Sequence, residues 1–249
     1  MSTMDYENLL SIVKERRSCR RFKPEPIPDE YVKKIIVMAR WAPSGANSQP
    51  WEFIVVKKKD LRQKILQFIK DLISIYYKLE HTREPALRFP SLTGPVEKIG
   101  YEDAPVFIIL LGDRRTIEAY PRYTAVEISD EILESSLANA FLYMQLAAGV
   151  LGLGSQWVSA VRMWYVQCLI RDLLGIPDEF VIYDMFVVGY PASKPKPRMV
   201  RNMEDMVHED LYNKDKLRSN AEIKEFISTL RTGRTYSEMG SKRSSKIDS

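Results

Sequence analysis

Residues 16–22 read Arg-Arg-Ser-Cys-Arg-Arg-Phe, four arginines and a serine with no acid before Glu25. A guanidinium offers a planar fork of donors that matches tetrahedral phosphate oxygens, and a serine hydroxyl adds a neutral donor. The chemistry this suggests is capture of a phosphate. The cluster also ends a helical stretch, so it serves the plainer purpose of neutralising the negative end of a helix dipole. A second run, Ala42-Pro43-Ser44-Gly45-Ala46-Asn47-Ser48-Gln49-Pro50-Trp51, is built from small and amide residues. Small residues let a backbone come close to a flat ring. Ser44, Asn47 and Gln49 can donate to and accept from ring nitrogens and carbonyls; Gln49 is better placed to support the loop than to touch a ligand. As a helix-to-strand connection, the run is also ordinary turn chemistry.

A third run, Gly149-Val-Leu-Gly152-Leu-Gly154-Ser-Gln-Trp157-Val158-Ser159, looks at first like a dinucleotide fingerprint. Its spacing is wrong, and its glycines follow a helix instead of opening one after a strand. A Schellman-type helix end turning into a strand is the better reading. A fourth run, Gly189-Tyr190-Pro191-Ala192, is followed by Lys194, Lys196, Arg198 and Arg201. These bases could close a phosphate site with the first cluster or form a basic linker.

The elements that must hold these runs follow from hydrophobic spacing. Residues 5–17 read as an amphipathic helix, with Asp5 as N-cap and Leu9, Leu10 and Val13 on one face. Pro28-Asp29 opens a second helix, with Val32, Ile35, Ile36 and Ala39 in register, ending at Trp41-Ala42-Pro43. Trp51 to Lys57 is a continuous apolar strand of the kind buried on both faces. Residues 60–78 form a third helix. The proline-rich stretch 80–103 is a long loop, a feature that usually serves function in a compact domain. Residues 105–112 form a second buried strand. Residues 129–148 form a helix apolar almost all round, which must be covered on every side by a core or a partner. A short strand follows the glycines, then a helix over 163–174 with Gly175 at C′, then a strand over 180–190. Beyond it the chain reads as irregular, and residues 232–249 as a disordered tail. Helices and strands alternate without internal repeat, giving one α+β domain over 1–231 with a C-terminal arm from about 191.

Bulk properties exclude several classes. Of 249 residues, 45% are hydrophobic, enough for a sizeable core. Lys and Arg total 37 against 33 Asp and Glu, a mild excess that does not describe a nucleic-acid binder. Two cysteines, Cys19 and Cys168, and two histidines, His81 and His208, make neither a disulfide framework nor a metal centre. Neither a signal-peptide pattern nor an apolar run of about 20 residues is present, so the expectation is a cytoplasmic protein without a membrane partner.

Taken in order, the Arg-Arg-Ser-x-Arg-x-Phe, Ala-Pro-Ser-Gly-x-Asn-x-Gln-Pro-Trp, Gly-Leu-Gly-Ser-x-Trp-Val-Ser and Gly-Tyr-Pro-Ala…Lys-Pro-Arg runs resemble the nitroreductase superfamily of FMN-dependent homodimers, from about Leu10 to Val207. The interval from Arg62 to Glu102 is unmatched in detail. The resemblance implies a three-layer α/β/α fold with a central mixed β-sheet and a C-terminal arm exchanged with the partner subunit. It implies that Arg16, Arg17 and Ser18 hold the FMN phosphate and ribityl chain. It sets Arg20 beside the pyrimidine edge, where a cation tunes the electronics of the reduced flavin. Pro43, Ser44, Gly45 and Asn47 match the loop that covers the flavin from the partner. Trp157, Val158 and Ser159 match the turn that passes the central ring. Arg201 matches the late phosphate contact, with Arg198 and Lys196 as fallbacks. Cys19 occupies a variable position and needs no redox role.

The implied activity is NAD(P)H-dependent reduction of nitroaromatics, quinones or similar small acceptors by hydride transfer through flavin N5, at two equivalent sites on a homodimer interface. A second reading is reductive dehalogenation of the iodotyrosine deiodinase type. That chemistry needs an acid, a tyrosine and a lysine on a lid, and Tyr76, Tyr77, Lys78, Glu80 and Glu84 supply the types at unconvincing spacing. Ser159 is reminiscent of the flavin-cleaving synthase of the cobalamin pathway. A non-catalytic flavin-binding or redox-sensing protein, or a basic interaction module without flavin, completes the range.

Overall fold

The computed structural model describes residues 3–89, 92, 94, 96, 98–193 and 200–232. These fall into two compact units, Met1–Leu72 with Glu97–Lys196, and Ile73–Val96 with Pro197–Ser249.

The first unit is built on a four-stranded sheet of order β1-β2-β4-β3, where β1 is Trp51–Val56, β2 Val106–Asp113, β3 Gly154–Val158 and β4 Phe180–Gly189. All three strand pairings are antiparallel, so the named strands do not form the mixed sheet expected; the parallel pairing is confined to the isolated bridge between Ser18 and Ser155, because the arginine loop and not a full strand lies on the open side of β3. The central strands β2 and β4 are buried almost throughout. β1 departs from the expectation of burial on both faces: Trp51 and Val56 are buried but Glu52 is exposed and the residues between are half-buried. Its edge position is the reason, since an edge strand is covered less completely than a central one, and hydrophobic content does not report strand order.

Helices cover both faces of the sheet, the three-layer arrangement. On one face lie α2 (Asp29–Ala39) and α5 (Ser129–Val150). Val32, Ile35 and Ala39 of α2 and Leu137, Phe141 and Met144 of α5 share a core with Ile108, Leu110, Phe186 and Val188 of the sheet. By strand alternation Phe107, Ile109, Met185 and Val187, all fully buried, point to the other face. There α3 (Lys59–Glu80) reaches the sheet through Arg62, whose guanidinium lies 5.8 Å from the Phe107 ring centre and donates to the Ala104 carbonyl. α5 is covered along most of its circumference, but Leu142 and Val150 remain exposed. Its end is the Schellman type: Leu153 N–H donates to Ala148 O at 2.8 Å and Gly152 takes φ +70°. α6 (Trp164–Leu174) likewise stops at Gly175, φ +63°.

α1 (Thr3–Glu15) and α4 (Arg122–Glu127) complete the first unit, together with a short 3-10 turn over Arg114–Ala119. In the second unit the chain after residue 200 is not irregular throughout: α7 spans Asn220–Thr232. Its signals were in the sequence. Ile223, Phe226, Ile227 and Leu230 fall at helical spacing, and Ser219 with Glu222 forms a capping box, Ser219 N–H donating to Glu222 Oε2 at 2.8 Å and Glu222 N–H to Ser219 Oγ at 3.3 Å. α7 packs on the 3-10 turn Pro85–Leu87 inside the 80–103 loop, with a Lys224–Glu84 ion pair at 3.1 Å and Arg231 over the Phe89 ring at 3.5 Å. Lys194, Lys196, Arg198 and the 233–249 part of the tail lie outside the described residues.

Candidate functional site

β3 is an edge strand, and the arginine loop pairs with its open side. Cys19 N–H donates to Ser155 O at 2.8 Å, next to the Ser18–Ser155 bridge. The loop then runs past the end of β4: Lys23 N–H donates to Tyr190 O and Ala192 N–H to Arg21 O, both at 2.9 Å. Three of the four sequence runs are thereby brought together by main-chain bonds. Cys19 turns inward, buried against Gly154, where a Cβ would stand 2.8 Å from its sulfur; only glycine permits that approach. Burial pushes the thiol pKa up, so Cys19 is a packed thiol and not a reactive one. Ser18 and Arg20 flank it on the exposed side.

The chemistry of the donors fits FMN. The Ser18 hydroxyl and the Arg20 guanidinium are exposed, with no hydrogen-bonding partner among the described residues, and Arg16 is half-buried beside them. Arg17 differs. Its Nη1 donates to Lys14 O at 2.5 Å and to Arg16 O at 2.6 Å, closing the end of α1. It fills the helix-end role, which reduces what it can offer a phosphate. Arg201 belongs to the second unit, where its Nη2 donates to Asp205 O at 3.0 Å and its Nε is buried without a partner among the described residues.

The second run forms a tight loop at a different place. Gly45 N–H donates to Ser136 Oγ and Asn139 Nδ2 to Pro43 O, both at 3.1 Å, fixing the loop to the N-terminal half of α5. A Cβ at Gly45 would overlap Ile132, so that position requires glycine. Ala46, Asn47 and Gln49 all take positive φ, at 50°, 52° and 45°. Left-handed backbone at non-glycine residues costs about 1 kcal/mol or more each, and such strain concentrates at functional sites. Gln49 is bonded within the loop, its N–H donating to Ser44 Oγ at 3.0 Å and its Nε2 to Asn47 O at 3.4 Å. The loop leads into Trp51, which pairs with Gly112 at the far end of β2, while Ser155 pairs with Val188 on the opposite edge. Three strand spacings and about seven residues along β4 separate them, roughly 25 Å. Within one chain the Pro43–Asn47 loop and the arginine loop occupy opposite corners of the sheet.

The third run ends in a buried polar feature that the sequence reading missed. Trp157 Nε1–H donates to Asp184 Oδ2 at 2.6 Å, and the Trp157 ring stacks on Phe141 at 4.0 Å and 25°. Asp184 is 2% exposed and its Oδ1 has no partner among the described residues. Its signal in the sequence is one carboxylate inside the apolar strand Phe-Val-Ile-Tyr-Asp-Met-Phe-Val-Val. Burial pushes its pKa up to about 6 against the opposing pull of the Trp157 indole and of Arg162. Val158 is buried and Ser159 exposed at the start of a 3-10 turn, Ser159–Arg162.

A carboxyl that binds its proton more tightly folded than unfolded destabilises the fold once ionised. Between an ordinary 3.8 and about 6 the penalty grows with pH to roughly 3 kcal/mol, and it is absent below that window. Asp184→Asn removes the titration. The stability of the variant relative to the parent should therefore improve by roughly 2–3 kcal/mol between pH 4 and pH 8. Urea melts across that range measure it; a difference independent of pH refutes the raised pKa.

Comparison with known proteins bears on the family and the fold. The family model described as "Nitroreductase family" matches residues 13–190. A "Putative NADH dehydrogenase/NAD(P)H nitroreductase" of Archaeoglobus fulgidus is 28% identical over 188 residues, covering 76% of this chain and 88% of that protein. The iodotyrosine deiodinase of Danio rerio is 29% identical over 199 residues, 76% of this chain but 62% of that protein. Among solved structures, the NADPH:FMN oxidoreductase of Vibrio harveyi complexed with NAD+ superposes with a TM-score of 0.65 at 19% identity, covering 96% of this chain and 91% of that one, a likeness of fold. The matched interval begins inside α1, ends just after β4 and takes in the first three runs together with Gly189-Tyr190: the chain belongs to the nitroreductase family.

Proposed function

We propose that the chain is an FMN-dependent oxidoreductase that draws electrons from NADH or NADPH and passes them to small acceptors such as nitroaromatics or quinones. The observation that carries this reading is the bonding of the arginine loop to β3, which presents Ser18 and Arg20 without hydrogen-bonding partners among the described residues, beside the strand that leads into Trp157-Val158-Ser159. The naming of relatives and of a structural neighbour as NAD(P)H nitroreductase and NADPH:FMN oxidoreductase supports the same chemistry. Bound FMN would accept and release hydride at N5. The protein's part is binding and electrostatics. Arg16 and Ser18 hold the phosphate, with a smaller share for Arg17. Arg20 stands at the pyrimidine edge, where its positive charge favours the more negative reduced ring. Trp157, Val158 and Ser159 follow the central ring, and a donor and acceptor need only be held against the flavin face.

The site is completed by a second copy of the chain. The strained Pro43, Ser44, Gly45 and Asn47 loop stands too far from Ser18 to cover a flavin held in the same chain. Two-fold pairing would carry each loop to the other chain's arginine cluster and make two equivalent sites. Val200, Met203, Leu211 and Leu217 of the C-terminal arm are 60% to 82% exposed, apolar surface suited to wrapping a partner.

Dehalogenation is the second reading, favoured by the deiodinase relatives. The lid types it needs are partly engaged otherwise: Glu80 pairs with Arg83 at 3.2 Å and accepts from Phe89 N–H at 2.8 Å, and Glu84 pairs with Lys224.

The purified protein should be yellow and release FMN, and anaerobic NADH or NADPH should bleach it. Release of FAD overturns the cofactor assignment; turnover of iodotyrosine without bleaching by a nicotinamide moves the reading to the dehalogenase. Arg16→Ala and Ser18→Ala should each weaken FMN binding by about 1–3 kcal/mol, read by fluorescence titration. Arg20→Gln should lower the flavin midpoint potential and cut turnover roughly ten-fold or more while changing oxidised-FMN affinity less; a collapse of affinity at unchanged potential would make Arg20 a phosphate ligand. Light scattering should give a dimer carrying two FMN, and a monomer that retains FMN would refute the shared site.

A further inference from the structure

Asp184 stands at a break in the sheet. Leu110 pairs with Asp184 but Leu111 pairs with Ile182, so Tyr183 is an extra residue on β4 immediately before it. A bulge of this kind re-aims the neighbouring side chain. The redirected carboxylate meets the indole of Trp157, whose ring is also stacked on Phe141 and tilted against Tyr183 at 6.1 Å. Trp157 is the last residue but one of β3, and the Ser159–Arg162 turn follows directly. That turn is fastened at its other end as well, Arg162 pairing with Glu134 and lying 5.1 Å from the Tyr183 ring centre. Asp184 therefore sits beneath a short arch whose two feet are Trp157 and Arg162. The groups that act on it are the Trp157 indole from β3, Arg162 from the turn, Glu134 from α5 and Tyr183 from its own strand.

A buried carboxylate is an expensive way to satisfy one indole N–H, because an amide oxygen would accept the same bond without a charge to desolvate. What the charge adds is strength, since an ionised acceptor holds its donor about twice as firmly as a neutral one. We propose that Asp184 is a positioning residue of the flavin site: through the Trp157 N–H it fixes β3 and the Val158–Ser159 turn against the flavin ring, while the arginine loop at the other end of β3 holds the phosphate. This rests on the FMN reading given above.

Removing the bond should disturb the ring end of the site and spare the phosphate end. Asp184→Leu, which removes the acceptor, and Trp157→Phe, which keeps the stack and removes the donor, should each lower kcat roughly ten-fold. Each should also alter the visible circular dichroism of bound FMN, with FMN affinity changed less than about three-fold because the phosphate contacts persist. Combining the two should add little to either, since both break one bond. Asp184→Asn, which keeps an acceptor but not its charge, should recover only part of the rate. If Asp184→Leu does not fold, Trp157→Phe alone decides. Wild-type kcat and dichroism in the folded single variants, or full additivity in the pair, overturn the assignment of Asp184 and leave the flavin reading standing. A wild-type protein that binds no FMN overturns both.

Discussion

An edge strand leaves a row of N–H and C=O groups that must be paired or protected. β3 solves this with the arginine loop, whose Cys19 N–H is bonded to Ser155 O. Much else follows from that one main-chain bond. It presses Cys19 onto Gly154, so residue 154 must be glycine and residue 19 must be small. It turns Ser18 and Arg20 outward as a pair, and it carries the chain on to Tyr190 and Ala192, tying the ends of two sequence runs that stand about 170 residues apart. The outward presentation of Ser18 and Arg20 is thus a by-product of covering a sheet edge.

The energetic costs in the first unit fall at the same places as the candidate chemistry. The strained residues Ala46, Asn47 and Gln49 sit in the loop that caps one corner of the sheet, and the buried carboxylate of Asp184 sits under the Trp157 turn. Both are paid against a well-packed background: α5 buries Leu137, Phe141 and Met144 completely, and β2 and β4 are almost wholly enclosed. A rigid core of this kind tolerates local strain that a marginal one would relax. The rings of Trp157, Tyr183 and Phe186 all pack on Phe141, and close-packed rings hold the Trp157 indole N–H on Asp184 where a flexible side chain would let it swing.

Much of this was legible before any coordinates. The order along the chain of the four strands and of α1, α2, α3, α5 and α6, the Schellman end of α5, the left-handed Gly175 and the separation of the glycine-rich run from a dinucleotide fold all follow from local chemistry acting within a few residues, whereas the short α4 went unread. α7 was legible too, through its Ser219–Glu222 capping box and the 223-226-227-230 spacing, although the polar composition around it reads as irregular chain. The arginine cluster was visible as a group of donors of the type that suits a phosphate, but the division of labour inside it was not. Arg17 turns back onto Lys14 and Arg16, and nothing in a run of four arginines distinguishes the one that caps a helix from those that face outward.

By itself the sequence determined the four strands, the helices α1, α2, α3, α5 and α6 with most of their ends, and the residue types able to bind a phosphate and approach a ring, because these depend on dihedral preferences and on periodicities of two and 3.6 residues. Only the tertiary structure decided the strand order that makes β1 and β3 edges, the bulge at Tyr183 that brings Asp184 to Trp157, and the placement of the Pro43–Asn47 loop at the corner opposite Ser18. These are contacts between residues far apart in the chain. They are settled by which buried faces pack together, a competition among whole elements that no local window of sequence contains.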